Sequence, residues 1–222
     1  MSDPVELGRL ASAASYLLLN APDARTLAAL DAPAGGPLDL DRARQDFYDF
    51  LCIPQSGCFL PPFAHVLSQA QETAEYWHFP TPKYDGGDAL LTWFDAAGFD
   101  ATALPADPIL AAANRPLDHV GVLLAFLALL LDAAQDSETD RVVLGEFLGE
   151  HVQPWADTFA NLLCQAESPY IALLGTALRD LLDAVREDYP PLAPPQRSLA
   201  HKRIPIQPAQ VEGSVAFPSS AQ

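Results

Sequence analysis

Basic residues, cysteine and long apolar runs are all scarce in this chain, and each scarcity removes a class of function. Only 12 of the 222 residues are Lys or Arg, against 29 Asp and Glu, for a formal charge of -17. Phosphate contacts need clustered cations, so nucleic acid is excluded as a partner. A cationic partner is favoured instead, although solubility alone also accounts for such a charge. The three cysteines, Cys52, Cys58 and Cys164, form no C-x-x-C pair and complete no zinc set with histidine. An odd count without an export signal points to a reducing compartment. The longest apolar run, residues 120–131, is interrupted only by Gly121. It falls short of the ~20 residues of a membrane span, so it reads as a buried core helix and no membrane insertion is expected. The opening MSDPVE has no basic stretch leading into an apolar one. The expected address is the cytoplasm.

Enzymatic signatures are missing too. There is no phosphate-binding glycine loop, no G-x-G-x-x-G and no G-x-S-x-G elbow. The five histidines, His65, His78, His119, His151 and His201, form no H-E-x-x-H or E-x-x-H arrangement. Glu150 and His151 have the wrong spacing for one helix face. No cofactor, metal or catalytic residue is assigned, and the chain is not expected to be an enzyme.

What is present is helical. A capping residue followed by proline recurs at Asp3-Pro4, Asp107-Pro108 and Ser168-Pro169, and Asn114-Arg115-Pro116 is expected to open the central helix. Glu6 is placed to complete a capping box at the first of these starts. Apolar residues recur at three- and four-residue spacing: Leu7, Leu10, Ala14 and Leu17; Phe47, Phe50 and Leu51; Leu90, Leu91, Trp93, Phe94 and Ala97; Val143, Leu144, Phe147 and Leu148; Trp155, Phe159, Leu162 and Leu163; and a late stripe from Tyr170 to Val185. Pro154 predicts a break between the fourth and fifth stripes. No strand pattern stands out. The expected fold is all-α: one multi-helix bundle over residues 1–189, then a Pro/Ser-rich tail over 190–222 that packs little, with Ile204 and Ile206 as its docking candidates.

Two constellations stand out. Asp118 and His119 precede the most apolar helix. With Pro116 as first helical residue, Asp118 falls in the first turn, where the helix dipole stabilises a carboxylate, and His119 is expected to be neutral. The segment DFYDFLCIPQSGCFLPPFAHV, residues 46–66, reads as an aromatic helix, a Pro-Gly loop and a helix reopened after Pro61-Pro62. Ordinary helix-loop-helix packing explains it; so does an aromatic groove for an apolar peptide. The stretch EYWHFPTPKYDGG, residues 75–87, reads as an aromatic loop.

Together FYDFLCIPQSGCFLPPFAHV and PLDHVGVLLAFLALLLDAA resemble the TorD/DmsD/NarJ family of molybdoenzyme maturation chaperones. AASYLLLNAPDARTLAAL and EFLGEHVQPWADTFANLLCQAESPYIALLGTALRDLLD extend the resemblance, in order, over about residues 10–187. Order and spacing carry it. Two places depart from the family pattern: Ala64-His65-Val66, where a small residue and Ser usually precede Val, and Leu123-Leu124, where Glu is frequent. The resemblance implies a chaperone that binds the catalytic subunit of a molybdenum oxidoreductase, through its twin-arginine leader, until the cofactor is inserted. Asp118 would attract an arginine and His119 would offer a neutral hydrogen-bonding group. Phe59, Phe63 and Trp77 would shelter the apolar stretch. Two other readings stay open: a permanent structural subunit of an oxidoreductase, and a helical nucleotide-binding protein or enzyme.

Overall fold

In the computed structural model, residues 4–30, 37–111, 113, 115–135 and 137–192 are described. The fold is all-α, organised around one helix, α6 (Val120–Ala133). Its sequence is apolar on every side, and Val120, Leu124, Phe126, Leu127 and Leu131 are fully buried. Such a helix needs neighbours over most of its circumference; a strip at Ala125, Leu129 and Asp132 is left towards solvent, with Leu129 39% exposed. Helix α1 (Pro4–Leu19) lies along it, and Ser15 Oγ donates to Gly121 O at 2.7 Å. Elsewhere α6 meets α5 (Leu91–Ala97) and α7 (Glu138–Phe147) through aromatic edges. The Phe94–Phe126 and Phe126–Phe147 centroids are each 5.0 Å apart. Contacts of this kind add about 0.5–1.5 kcal/mol beyond simple burial.

Helices α8 (Gln153–Cys164) and α9 (Pro169–Asp188) form an antiparallel hairpin that completes the bundle. Ser168 caps α9 by accepting from Ile171 N, and its hydroxyl also donates to buried Asp46 at 2.6 Å. That bond pins α3 (Leu40–Phe47) to the start of α9. Two short helices, α2 (Ala24–Ala29) and α4 (Ala64–Leu67), fill the remaining positions.

The Ser168-Pro169 and Asp107-Pro108 starts are as expected, the latter opening a single 3-10 turn, Pro108–Leu110. The cap expected from Asp3 lies outside the described residues. Pro154 sits in the first turn of α8. The break it demands is taken up just before it by a π-helical turn, Leu148–Val152, so α7 and α8 run on as one bent rod. A matching π turn, Tyr48–Cys52, ends α3. Leu10, expected on the buried face of α1, is 47% exposed.

Two expectations are corrected. A two-stranded antiparallel ribbon pairs Gln71–Glu72 with Trp77–His78, where no sheet was expected. Strands of two residues are too short to leave an alternating pattern. The central helix opens at Val120, with His119 as its N-cap, rather than at Pro116. Asp118 therefore precedes the cap instead of lying in the first turn.

Of the expected tail, residues 193–222 lie outside the described residues. At its start, Leu192 N–H donates to Gly145 O at 2.9 Å. A side chain at Gly149 would collide with the Leu192 carbonyl, so the chain crosses the α7–α8 rod at these two glycines. Among the described residues no helix is long and apolar enough to cross a membrane.

Candidate functional site

The head of α6 is built by two segments that meet in an antiparallel bridge between Phe63 and His119. Val120 N–H donates to Pro62 O at 2.8 Å, and Ala64 N–H to Asp118 O at 3.0 Å. This pairing holds residue 119 extended and is the reason the helix starts late. His119 caps the helix through Nδ1, which accepts from Gly121 N–H at 3.0 Å. The ring is fully buried, with the Phe63 ring edge-on at 5.7 Å. Burial, helped by the nearby Arg115 cation, drives its pKa down to about 3. His119 is thus neutral, as expected, but it lies inside the wall and not at a mouth.

Asp118 is also buried, 3% exposed, and turns away from the helix towards His65. Its Oδ2 accepts from the His65 backbone N–H at 2.6 Å and from His65 Nδ1 at 2.7 Å. His65 Nε2 in turn accepts from Lys83 N–H at 2.9 Å, which makes the imidazole a neutral Nδ1–H tautomer. Asp118 Oδ1 is buried and receives no hydrogen bond. Residues 83–87 run over this pair as a strap. Gly87, at φ +90°, passes so close that a Cβ there would lie 2.5 Å from Asp118 N, and a Cβ on Gly86 would strike the His65 ring. Only glycine permits this cover.

Beside Asp118 lies a recess of about 230 Å³. The strap and α4 form one side; Glu150, His151, Pro154 and Trp155, from the π turn and the start of α8, form the other. His151 Nε2 is 3.6 Å from Glu150 Oε1. A second recess, about 320 Å³, is lined by Phe59, Phe63, Lys83, Tyr84 and Arg115 among others. Arg115 is 6% exposed and donates to the carbonyls of Leu110 and Ala101. Burial lowers its pKa.

Of the residues singled out from sequence, Asp118, His119 and Phe63 come together, and Phe59 lines the adjacent recess. Trp77 does not join them: it stacks on Phe79 at 6.4 Å in the β-ribbon and lines neither recess. Sequence reasoning missed His65, the Gly86 and Gly87 strap, Arg115 and Glu150. His65 stood out only as a departure from the family pattern. Among the described residues no three His, Cys, Asp or Glu side chains are grouped to hold a metal. The three cysteines are free, and burial pushes the Cys52 thiol up to about 12.

Residues 109–161 match the family described as nitrate reductase delta subunit. The match spans less than a quarter of the chain, yet it contains Asp118, His119, all of α6 and the Glu150 to Trp155 wall. No curated protein matches the chain. The match lies within the stretch that resembles the molybdoenzyme chaperones and supports that family in general.

Proposed function

We propose that this chain is a maturation chaperone, not an enzyme, for a molybdenum-containing oxidoreductase. It holds the catalytic subunit through its twin-arginine leader, in the cytoplasm, until the cofactor is in place. The observation that carries this reading is the match over residues 109–161 to the nitrate reductase delta-subunit family, whose members are molybdoenzyme chaperones. The geometry is in keeping with it. The matched stretch supplies a buried carboxylate beside a recess on a strongly acidic protein, which suits a cationic segment. Asp118, Phe59 and Phe63 border the proposed leader site, with His119 buried in the wall behind them and Trp77 further off on the ribbon.

The test is to express the tagged chain in its host and identify what co-purifies. A molybdenum oxidoreductase catalytic subunit should be captured in its cofactor-free form and released when loaded. Finding the chain in stoichiometric amount in the mature complex would make it a permanent subunit and overturn the proposal. Against a leader peptide, Asp118→Ala should weaken binding by about 1–3 kcal/mol if the site is desolvated.

A further inference from the structure

The recess beside Asp118 has a chemical asymmetry that the fold does not explain. Two carboxylates, Asp118 and Glu150, border it, and no Lys or Arg side chain lines it. Of its two imidazoles, His65 is held neutral by the bonds it makes, and His151 stands with Nε2 3.6 Å from Glu150 Oε1, so that an incoming guanidinium would share Glu150 with it. Asp118 is also one donor short: Oδ2 has two partners, whereas buried Oδ1 has none. A buried carboxylate oxygen without a donor is unfavourable. Its persistence at a recess marks a place kept for a donor that arrives from outside.

We propose that this recess is a guanidinium slot, in which Asp118 at the floor and Glu150 at the rim clasp one arginine side chain of the client. The assignment rests on the leader-binding function proposed above and adds Glu150 as the residue that makes the site prefer arginine. Glu150 suits the rim, because its side chain is 26% exposed. Pro154, Trp155, Leu90 and Leu123 give the recess apolar walls. A weakly hydrated, planar guanidinium loses less on entering such a space than a compact ammonium, and its fork can reach two carboxylates at once. Oδ1 is closed off from water, so the incoming group reaches it only when the packing around Asp118, which includes the crossing at Gly87, opens locally. The Lys83 N–H to His65 Nε2 bond anchors the strap.

The experiment uses the full chain and three synthetic peptides sharing one apolar stretch, preceded by Arg-Arg, Lys-Lys or Gln-Gln, followed by titration calorimetry. The Arg-Arg peptide should bind about tenfold more tightly than the Lys-Lys peptide, as a bidentate pair demands. Glu150→Gln should cost the Arg-Arg peptide about fivefold or more, erase its advantage over Lys-Lys, and leave the Gln-Gln peptide unchanged. Glu150→Asp, which keeps the charge, should fall between. Arg-Arg binding should also slow amide hydrogen exchange at Asp118 and change it at residues 83–87. If Glu150→Gln binds Arg-Arg as the wild type does, or the wild type does not distinguish Arg-Arg from Lys-Lys, the slot is wrong and leader binding survives. If the wild type binds none of the three peptides, both fall. Equal melting temperatures for Glu150→Gln and wild type keep folding out of the comparison.

Discussion

The two recesses at the head of α6 take walls from the same segments, near residues 59–65 and 115–118, yet they bear opposite charge. One has Asp118 and Glu150; the other has Arg115 and Lys83. The difference lies in how each buried charge is satisfied. Arg115 places one donor from each terminal nitrogen on the carbonyls of Leu110 and Ala101, so it works as a staple for an irregular stretch of chain. Asp118 engages one oxygen with His65 and leaves the other without a donor. A charge engaged by its own backbone is architecture, whereas one left incomplete beside a recess is available.

That contrast can be broken at Arg115 first. Arg115→Met keeps the volume but strands two carbonyls, each worth about 1–3 kcal/mol when left unpaired. Urea unfolding should show a loss of about 2–5 kcal/mol. A neutral result would mean that the cation is held for a ligand instead.

His119 gives the next largest effect, and it depends on pH. Its folded pKa, about 3, lies below its ordinary 6.5. The unfolded chain therefore binds the extra proton first, and the stability conferred by the neutral ring is full above pH 6.5 and lost as pH falls towards 3. Between pH 7 and pH 5 this group alone should remove about 2 kcal/mol. In His119→Asn, which retains a capping side chain, that part of the pH slope should disappear from unfolding curves.

On the carboxylate side, His65→Ala removes the ring donor from Asp118 and the strap's anchor. A loss of about 1–2 kcal/mol is expected, with faster amide exchange at Lys83. The smallest effect belongs to the half-buried Arg186, 2.6 Å from the exposed carboxylate of Asp157 and 3.6 Å from that of Asp183. Arg186→Met should change stability by less than about 1 kcal/mol, and less still in high salt. A larger change there would show that distance alone had been a poor guide to which charges matter.

The bundle was legible because its signals are local. Ser168-Pro169 caps α9, and Tyr170, Leu174, Leu178, Leu181, Leu182 and Val185 of its stripe are buried as the spacing implies, while Leu173 is half-buried and Ala177 exposed. The head of α6 was misplaced because its position is set by Phe63, far away in sequence, whose pairing holds residue 119 extended. No pattern around Pro116 records that constraint. The site was legible only where its residues are unusual in themselves: Asp118 and His119 before an apolar run. His65, Gly87 and Glu150 look ordinary in sequence and acquire their roles from neighbours on other elements. Trp77 was drawn in by its aromatic character, which also suits a half-buried ribbon.

The crossing of the α7–α8 rod by Leu192 has a mechanical consequence. The chain is clamped over Gly145 and Gly149, and Glu150 is the very next residue on the π turn. A π turn closes its bonds i→i+5, one residue wider than the α-helix on either side, and so marks the point where the regular winding is interrupted. Force applied along the chain at Leu192 is thus delivered to the turn that aims Glu150, much as a cable guide transmits tension to a lever. Cutting the chain just before residue 192 removes the clamp; cutting it just after leaves the clamp in place.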